Sequence, residues 1–246
     1  MKSKWMLKVK NLKVNLKLKK AIVNKINFLV AHNEIHALIG DNGSGKSSII
    51  KAIVDSYTNY TGEIFINNVN SRLANSKKHI GYVPDVLDFP REMSTHKYLL
   101  LLGKISNLPI ETIEKRIDKF LAIFKIEHLK QQKPYYFSPG QKRKISLIQA
   151  LIHNPSFVIL DEPLSRLDYT SKLDVVYMLK QLKHQGKTIL ISTNNLEEME
   201  ELVDSVTFIN EGKIIYSGKK EQRLDHFFIN KNILKYEQEI ANDEEN

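Results

Sequence analysis

The chain has 246 residues, 42% hydrophobic and 26% charged, which is too apolar for a disordered segment and long enough to bury a core without staples. It has no cysteine, so a disulfide framework, a cysteine zinc knuckle and a thiol nucleophile are excluded, and a reducing compartment suits it. Apolar stretches such as Tyr98 to Leu102 fall far short of the ~20 residues that cross a bilayer. The lysine-bearing amino terminus lacks the apolar segment and cleavage site of a secretory signal.

The net charge of +9 is local. Lys2, Lys4, Lys8, Lys10, Lys13, Lys17, Lys19, Lys20 and Lys25 precede the first acid, Glu34, and the other 28 basic residues balance 28 acids. Such a run could face anionic lipid headgroups, an acidic partner or nucleic acid. Its alternation with Leu7, Val9, Leu12, Val14, Leu16 and Leu18 favours the solvated face of edge strands, where lysine discourages sheet-to-sheet association.

In chain order, Met6 to Val9, Ala21 to Val30 and Ile35 to Ile39 read as strands. The third runs into a glycine-rich turn, Gly40 to Ser47, and a helix follows. Further strands are expected at Glu63 to Ile66 and Ile80 to Val83. From Phe89 to Phe137 the pattern becomes helical, with Ile113, Ile117, Phe120, Leu121 and Phe124 on one face, as in an inserted helical subdomain. Phe157 to Leu160 and Thr188 to Ser192 are continuous apolar runs typical of buried parallel strands, separated by a helix over Ser171 to His184. Ser205 to Asn210 and Lys213 to Ser217 flank a hairpin turn at Glu211-Gly212. No internal repeat is present, and the acidic end, Glu237 to Asn246, reads as a frayed tail.

Gly40, Asp41, Asn42, Gly43, Ser44, Gly45, Lys46 and Ser47 fit G-x-x-x-x-G-K-S at every defined position. Glycines let successive N–H groups turn into one concavity for a polyphosphate. Lys46 reaches the β- and γ-phosphates, the Ser47 hydroxyl can bind magnesium, and Ser48 continues into the helix. Asp161 and Glu162 end the buried run Phe157 to Leu160, where an open α/β sheet binds its ligand. Asp161 suits a magnesium ion held through water, and Glu162 is the candidate general base.

Ser138-Pro139-Gly140-Gln141 forms a plausible capping box before the apolar-periodic segment Ile145 to Ile152. Its block, Phe137 to Lys144, lies about 20 residues before the Asp-Glu pair and resembles the signature motif of ATP-binding cassette proteins. Leu164-Ser165-Arg166-Leu167-Asp168 is similar to that family's D-loop, and Ile191 to Glu198 to its switch segment. The resemblance runs from residue 6 to about 220. It implies an α/β phosphate-loop fold: a RecA-like core, an amino-terminal antiparallel β-subdomain and a helical subdomain inserted at about 89–152. One domain would then fill 1–222, followed by a carboxy-terminal helix and the acidic tail over 223–246.

It further implies ATP and Mg2+ as ligands, and head-to-tail pairing with a second copy or another cassette. Ser138, Gly140, Gln141 and Asp168 would then complete the partner's site. Four positions depart from the pattern. Pro139 replaces the first signature glycine; Asp85 replaces the Q-loop glutamine and stands with Ser47 and Asp161 as a candidate magnesium ligand, directly or through water; Asn194 replaces the switch histidine at the γ-phosphate; and no aromatic is available near Leu16 to Leu18 to stack on adenine. The expected activity is therefore ATP binding with slow hydrolysis.

By the same resemblance, the chain would be the cytoplasmic ATPase of a transporter, peripheral on the inner face of the membrane. A separate transmembrane permease would dock on Asp85 to Glu92, with Leu87 and Phe89 as its apolar contacts or else as part of the helical subdomain's core. The Gln-Lys-Arg-Lys signature variant leans towards export of a drug or peptide. Nucleic acid is not an expected partner. The alternative is a soluble or degenerate cassette acting as an ATP-dependent clamp or an assembly or regulatory protein.

Overall fold

The structure, a computed structural model, describes residues 4–15, 21–195, 197–221 and 223–224. Leu16 to Leu18, Leu196, the lysines at 2, 17, 19 and 20, and nearly all of the expected tail helix over 223–246 lie outside them.

Two sheets form the frame. A four-stranded antiparallel sheet has the order β2 (Ala21–Ala31), β1 (Trp5–Asn15), β4 (Tyr60–Ile66), β5 (Val69–Asn70). A six-stranded sheet has the order β10 (Lys213–Lys219), β9 (Ser205–Asn210), β3 (Ile35–Ile39), β8 (Thr188–Thr193), β7 (Phe157–Asp161), β6 (Ile80–Val83). It is parallel except for β10, which returns antiparallel on β9. The Glu211-Gly212 turn has both residues at positive φ, 46° and 73°, as a tight right-twisted hairpin demands.

The central strands are buried on both faces, which explains their unbroken apolar runs. Strand alternation sorts them into two cores. Ile35, Ala37, Val158, Leu160, Ile189 and Ile191 face the helical side, whereas Leu38, Phe157, Ile159 and Leu190 face α1 (Lys46–Ile53) and the four-stranded sheet.

On the helical side lie α3 (Thr95–Ile105), α4 (Ile110–Ile123), α5 (Pro139–Leu151) and α6 (Tyr169–His184). A short α2 (Ala74–Lys77) precedes β6. Ile113, Ile117, Leu121 and Phe124 are buried as their spacing predicts, with Phe120 packed beside them. Gly103 lets α3 and α4 close up: a Cβ there would lie 2.7 Å from the Ile113 side chain. Side chains cap three helices, Ser94 for α3, Ser138 for α5 and Asp168 for α6, each satisfying amides the helix leaves free.

Two expectations are corrected. The lysines of β1 do not guard a sheet edge, because β1 pairs with both β2 and β4 and is an interior strand. Of the two placements open for Phe89, the core one holds and the surface contact does not: it is buried on the helical side, edge-on to Tyr98, and Leu87 packs partly against the same core. Val86 is the exposed apolar residue of that segment, at 72%. Among the described residues no helix is long and apolar enough to cross a membrane.

Candidate functional site

The P-loop leaves the carboxyl end of β3 and enters α1 through Gly45, whose φ of 111° only glycine adopts without strain. Gly43 also has positive φ, 85°. No side chain caps α1, so its first amides stay available to an anion, where the helix dipole favours one. Gly40 must lack a side chain because a Cβ would meet the Ile209 carbonyl at 2.2 Å. Within the turn, the Ser44 hydroxyl is buried with no hydrogen-bond partner among the described residues. A buried hydroxyl left unsatisfied costs about 1–3 kcal/mol, and phosphate oxygens would supply the missing partner.

Lys46 is 5% exposed. Its ammonium donates to Gly40 O at 2.7 Å and Asp41 O at 3.2 Å, and pairs with Glu162 Oε1 at 3.3 Å. The loop lysine and the candidate base therefore hold each other across the cradle. Burial raises the Glu162 pKa above the ordinary carboxylate value; Lys46 opposes this, and the charges of Asp161 and Asp85 add to it. The Glu162 backbone is left-handed, φ 47°, and its amide donates to the Ser192 hydroxyl and carbonyl at 2.9 and 3.2 Å. That turn sets the carboxylate beside Lys46.

Asp161 ends β7 beside α1. Its Oδ1 accepts from the Ser47 hydroxyl at 3.2 Å and the Ser192 hydroxyl at 2.5 Å. Ser47 and Asp161 thus converge as hard oxygen donors, a set that fits magnesium completed by phosphate and water. Among the described residues no cluster of three or more His, Cys, Asp or Glu is placed to hold a metal. Asp85 is half-buried and contributes electrostatically to Glu162 and to the Tyr82 phenol, whose pKa rises to about 12 mainly through burial. Asn194 donates from Nδ2 to Asn42 Oδ1 at 3.3 Å, tying the switch position to the exposed tip of the P-loop. Ser48 is half-buried on α1.

The remaining expected residues form a second group. Ser138 accepts from the Gln141 amide at 3.3 Å, and Gln141 Oε1 accepts from the Ser138 amide at 3.1 Å, the reciprocal capping box. The Ser138 hydroxyl proton remains uncommitted, but the Gln141 carbonyl is occupied. Gly140 packs on α6, where a Cβ would lie 2.6 Å from Ser171 Oγ. Asp168 takes both the amide and the hydroxyl of Ser171, at 2.9 and 2.8 Å, which hold its pKa below the usual range. Among the described residues no hydrogen bond or ion pair joins this group to the P-loop.

Two contributors carried no role in the sequence reading. Arg143, 4% exposed on α5, donates to Pro84 O at 2.9 Å, Asp85 O at 3.4 Å and Glu162 O at 3.3 Å. It fastens the signature helix to the Asp85 segment and to the Glu162 turn. Ser192 holds Asp161 with its hydroxyl and receives the Glu162 amide. A lone serine ending the buried run Thr188–Thr193 was the available signal for the second.

A glycine-lined phosphate cradle, a lysine facing a carboxylate and a serine-aspartate pair at the carboxyl edge of a parallel sheet define a phosphate-loop nucleotide-hydrolase fold. The ABC transporter family profile matches residues 23–165, more than half of the sequence, and the chain belongs to the ATP-binding cassette family.

The chain is 40% identical over 202 residues to an ABC transporter ATP-binding protein of Mycoplasma pneumoniae, across 82% of this chain and 62% of that protein. It is 33% identical over 208 residues to Nod factor export ATP-binding protein I of Rhizobium meliloti, across 84% of this chain and 62% of the relative. It thus spans less than two thirds of both proteins. A solved ATP-binding subunit of an ABC transporter superposes with a TM-score of 0.84 at 26% identity, covering 92% of this chain and 99% of the other.

Proposed function

We propose that this chain binds ATP with Mg2+ and hydrolyses it slowly to drive transport through a separate membrane-spanning permease, working as one of two paired cassettes. The observation that carries the reading is the Lys46–Glu162 pair at 3.3 Å, with the unpartnered Ser44 hydroxyl beside it.

A triphosphate entering the cradle competes for the Lys46 ammonium. As Lys46 turns to the β- and γ-phosphates, Glu162 loses the cation that opposed its raised pKa and becomes a stronger base for the attacking water. Ser47 and Asp161 would hold the magnesium ion, with Asp85 within reach through water, and Ser192 fixes the Asp161 rotamer. That ion, when bound, neutralises charge building on the phosphoryl oxygens. Asn194 offers the γ-phosphate a neutral N–H donor in place of a cation. Ser138 and Gly140 act on the partner cassette's nucleotide, and Asp168 shapes that surface by capping α6.

Losing a preorganised charged donor at a transferring group costs about 3 kcal/mol, on the order of a hundredfold in rate, so turnover is slow while binding persists. Export is favoured by the signature variant and by the similarity to the Nod factor export protein of Rhizobium meliloti. The permease meets the Asp85 to Glu92 segment, where Val86 presents an apolar surface.

Phosphate release by the purified chain tests the reading. Glu162→Gln abolishes turnover with ATP still bound, Lys46→Ala loses binding, and Asn194→His accelerates hydrolysis. Turnover at ordinary cassette rates, indifferent to Asn194, contradicts the assigned role. Co-purification of a polytopic membrane chain tests the partner. The second reading, a clamp that binds ATP without turning it over, is favoured by Asp85 and Asn194 and separated by the same assay.

A further inference from the structure

A groove of about 620 Å3 lies between the two sheets, at the amino-terminal edge of the parallel strands and therefore at the opposite end of β3 from the P-loop. Its walls carry Trp5, Phe28 and Leu29; Lys4, Lys8, Lys10 and Lys219 surround them. Most of the lining is apolar, yet the charge around it is almost all of one sign. Glu34, the acid that lines it, is committed to the Ala31 amide at 2.7 Å. Lys10 reaches Glu63 only at 3.8 Å, and Lys8 and Lys219 make no ion pair among the described residues. Because β1 is interior to its sheet, edge protection does not account for Lys8 and Lys10, whereas Lys219 lies on β10, an edge strand of the six-stranded sheet.

The floor is polar and organised. His36, 1% exposed and stacked on Phe28, bonds Ser205 Oγ through Nδ1 at 2.7 Å and Thr207 Oγ1 through Nε2 at 2.8 Å; Thr207 in turn meets Ser217 Oγ at 2.8 Å. Burial pushes the His36 pKa down to about 3, so the ring is neutral, with one nitrogen donating and the other accepting. If Nε2 donates, Thr207 can pass its proton to Ser217, whose own proton is left over. If Nδ1 donates, the spare proton sits on Ser205. Both serines line the groove, so either tautomer delivers one unused hydroxyl donor into a space ringed by lysines.

We propose that this groove binds a small anionic amphiphile, its apolar body against Trp5 and Phe28 and its phosphate or carboxylate head between Lys8, Lys219 and the Ser205/Ser217 hydroxyls. The volume matches ligand pockets of about 300–1,000 Å3, largely apolar with a few convergent polar groups.

Trp5 is the only tryptophan in the chain, so its emission reports occupancy directly. The full chain is titrated with octyl phosphate and octanoate below their micellar concentrations, with octanol and octyltrimethylammonium as neutral and cationic controls. One or both anions give a saturable Trp5 response, at least tenfold tighter than either control and unchanged by saturating ATP. The double substitution Lys8→Gln, Lys219→Gln weakens it at least tenfold without moving the melting temperature, and Ser217→Ala weakens it less. Controls that bind as tightly, no response, or a response untouched by the lysine substitutions overturns the proposal. Competition by ATP assigns the anion to the P-loop, which overturns it too, while leaving the nucleotide reading intact.

Discussion

Replacing Arg143 with methionine keeps an unbranched apolar stem and removes the guanidinium that joins three segments. The bond to Pro84 O at 2.9 Å is a full charge-assisted hydrogen bond, about 2 kcal/mol. The bonds to Asp85 O and Glu162 O share one nitrogen at 3.4 and 3.3 Å and together add about 1 kcal/mol. Burial of the charge, which also pushes the guanidinium pKa down, offsets part of this, leaving a net loss of about 2 kcal/mol. For a chain of this size the melting temperature should fall by about 4–8 °C.

The catalytic effect should be selective. The P-loop is untouched, so ATP affinity changes little, whereas Glu162 and the Asp85 segment lose their common tether and kcat drops. Thermal melts by circular dichroism, nucleotide titration and phosphate release read the three quantities. An unchanged melt and kcat, or a loss of affinity larger than the loss of kcat, refutes the tethering role.

Asp85→Asn removes a negative charge that supports the raised Glu162 pKa, so the acid limb of kcat/KM moves to lower pH; a limb that stays put or rises separates Asp85 from Glu162. Ser192→Ala frees the Asp161 carboxylate, and the Mg2+ concentration for half-maximal activity should rise roughly tenfold, with ATP binding in chelator unaltered. Equal loss of both means that Ser192 serves the whole loop. His36 titrates near 6.5 when unfolded and about 3 when folded, so the unfolded chain takes up more protons between those values. Its stabilising contribution is complete above pH 6.5 and drains away as pH falls towards 3. Denaturant melts at pH 6.5 and 5 should differ by about 1–2 kcal/mol more in the parent than in His36→Asn. Parallel pH dependence in both proteins shows that His36 is not the titrating group.

Features legible in the sequence are those whose cause is local. The P-loop announces itself in eight consecutive residues, the capping box in four, and β3, β6 and β9 begin and end as their apolar runs do. Strand β1 runs on to Asn15 beyond the expected Val9, because Asn11 at φ 49° marks a bulge that interrupts the alternation without ending the pairing. Sheet order is not local, which is why the lysines of β1 look like edge-strand residues in the sequence: alternation shows which face they share, not which neighbours flank them.

The same limit hid Arg143 and Ser192. Arg143 acts on carbonyls 59, 58 and 19 residues away, and Ser192 on a carboxylate 31 residues away. Motifs name the groups that touch a nucleotide. The residues that hold those groups still become visible only once β7 and β8 lie side by side with α5 packed across them. Ser192 is a polar side chain within a buried apolar strand, where leaving partners unmade costs about 1–3 kcal/mol, so a polar residue in such a run is a signal to follow from sequence to site; Arg143, between Lys142 and Lys144, carries no such signal and shows only in the packed structure.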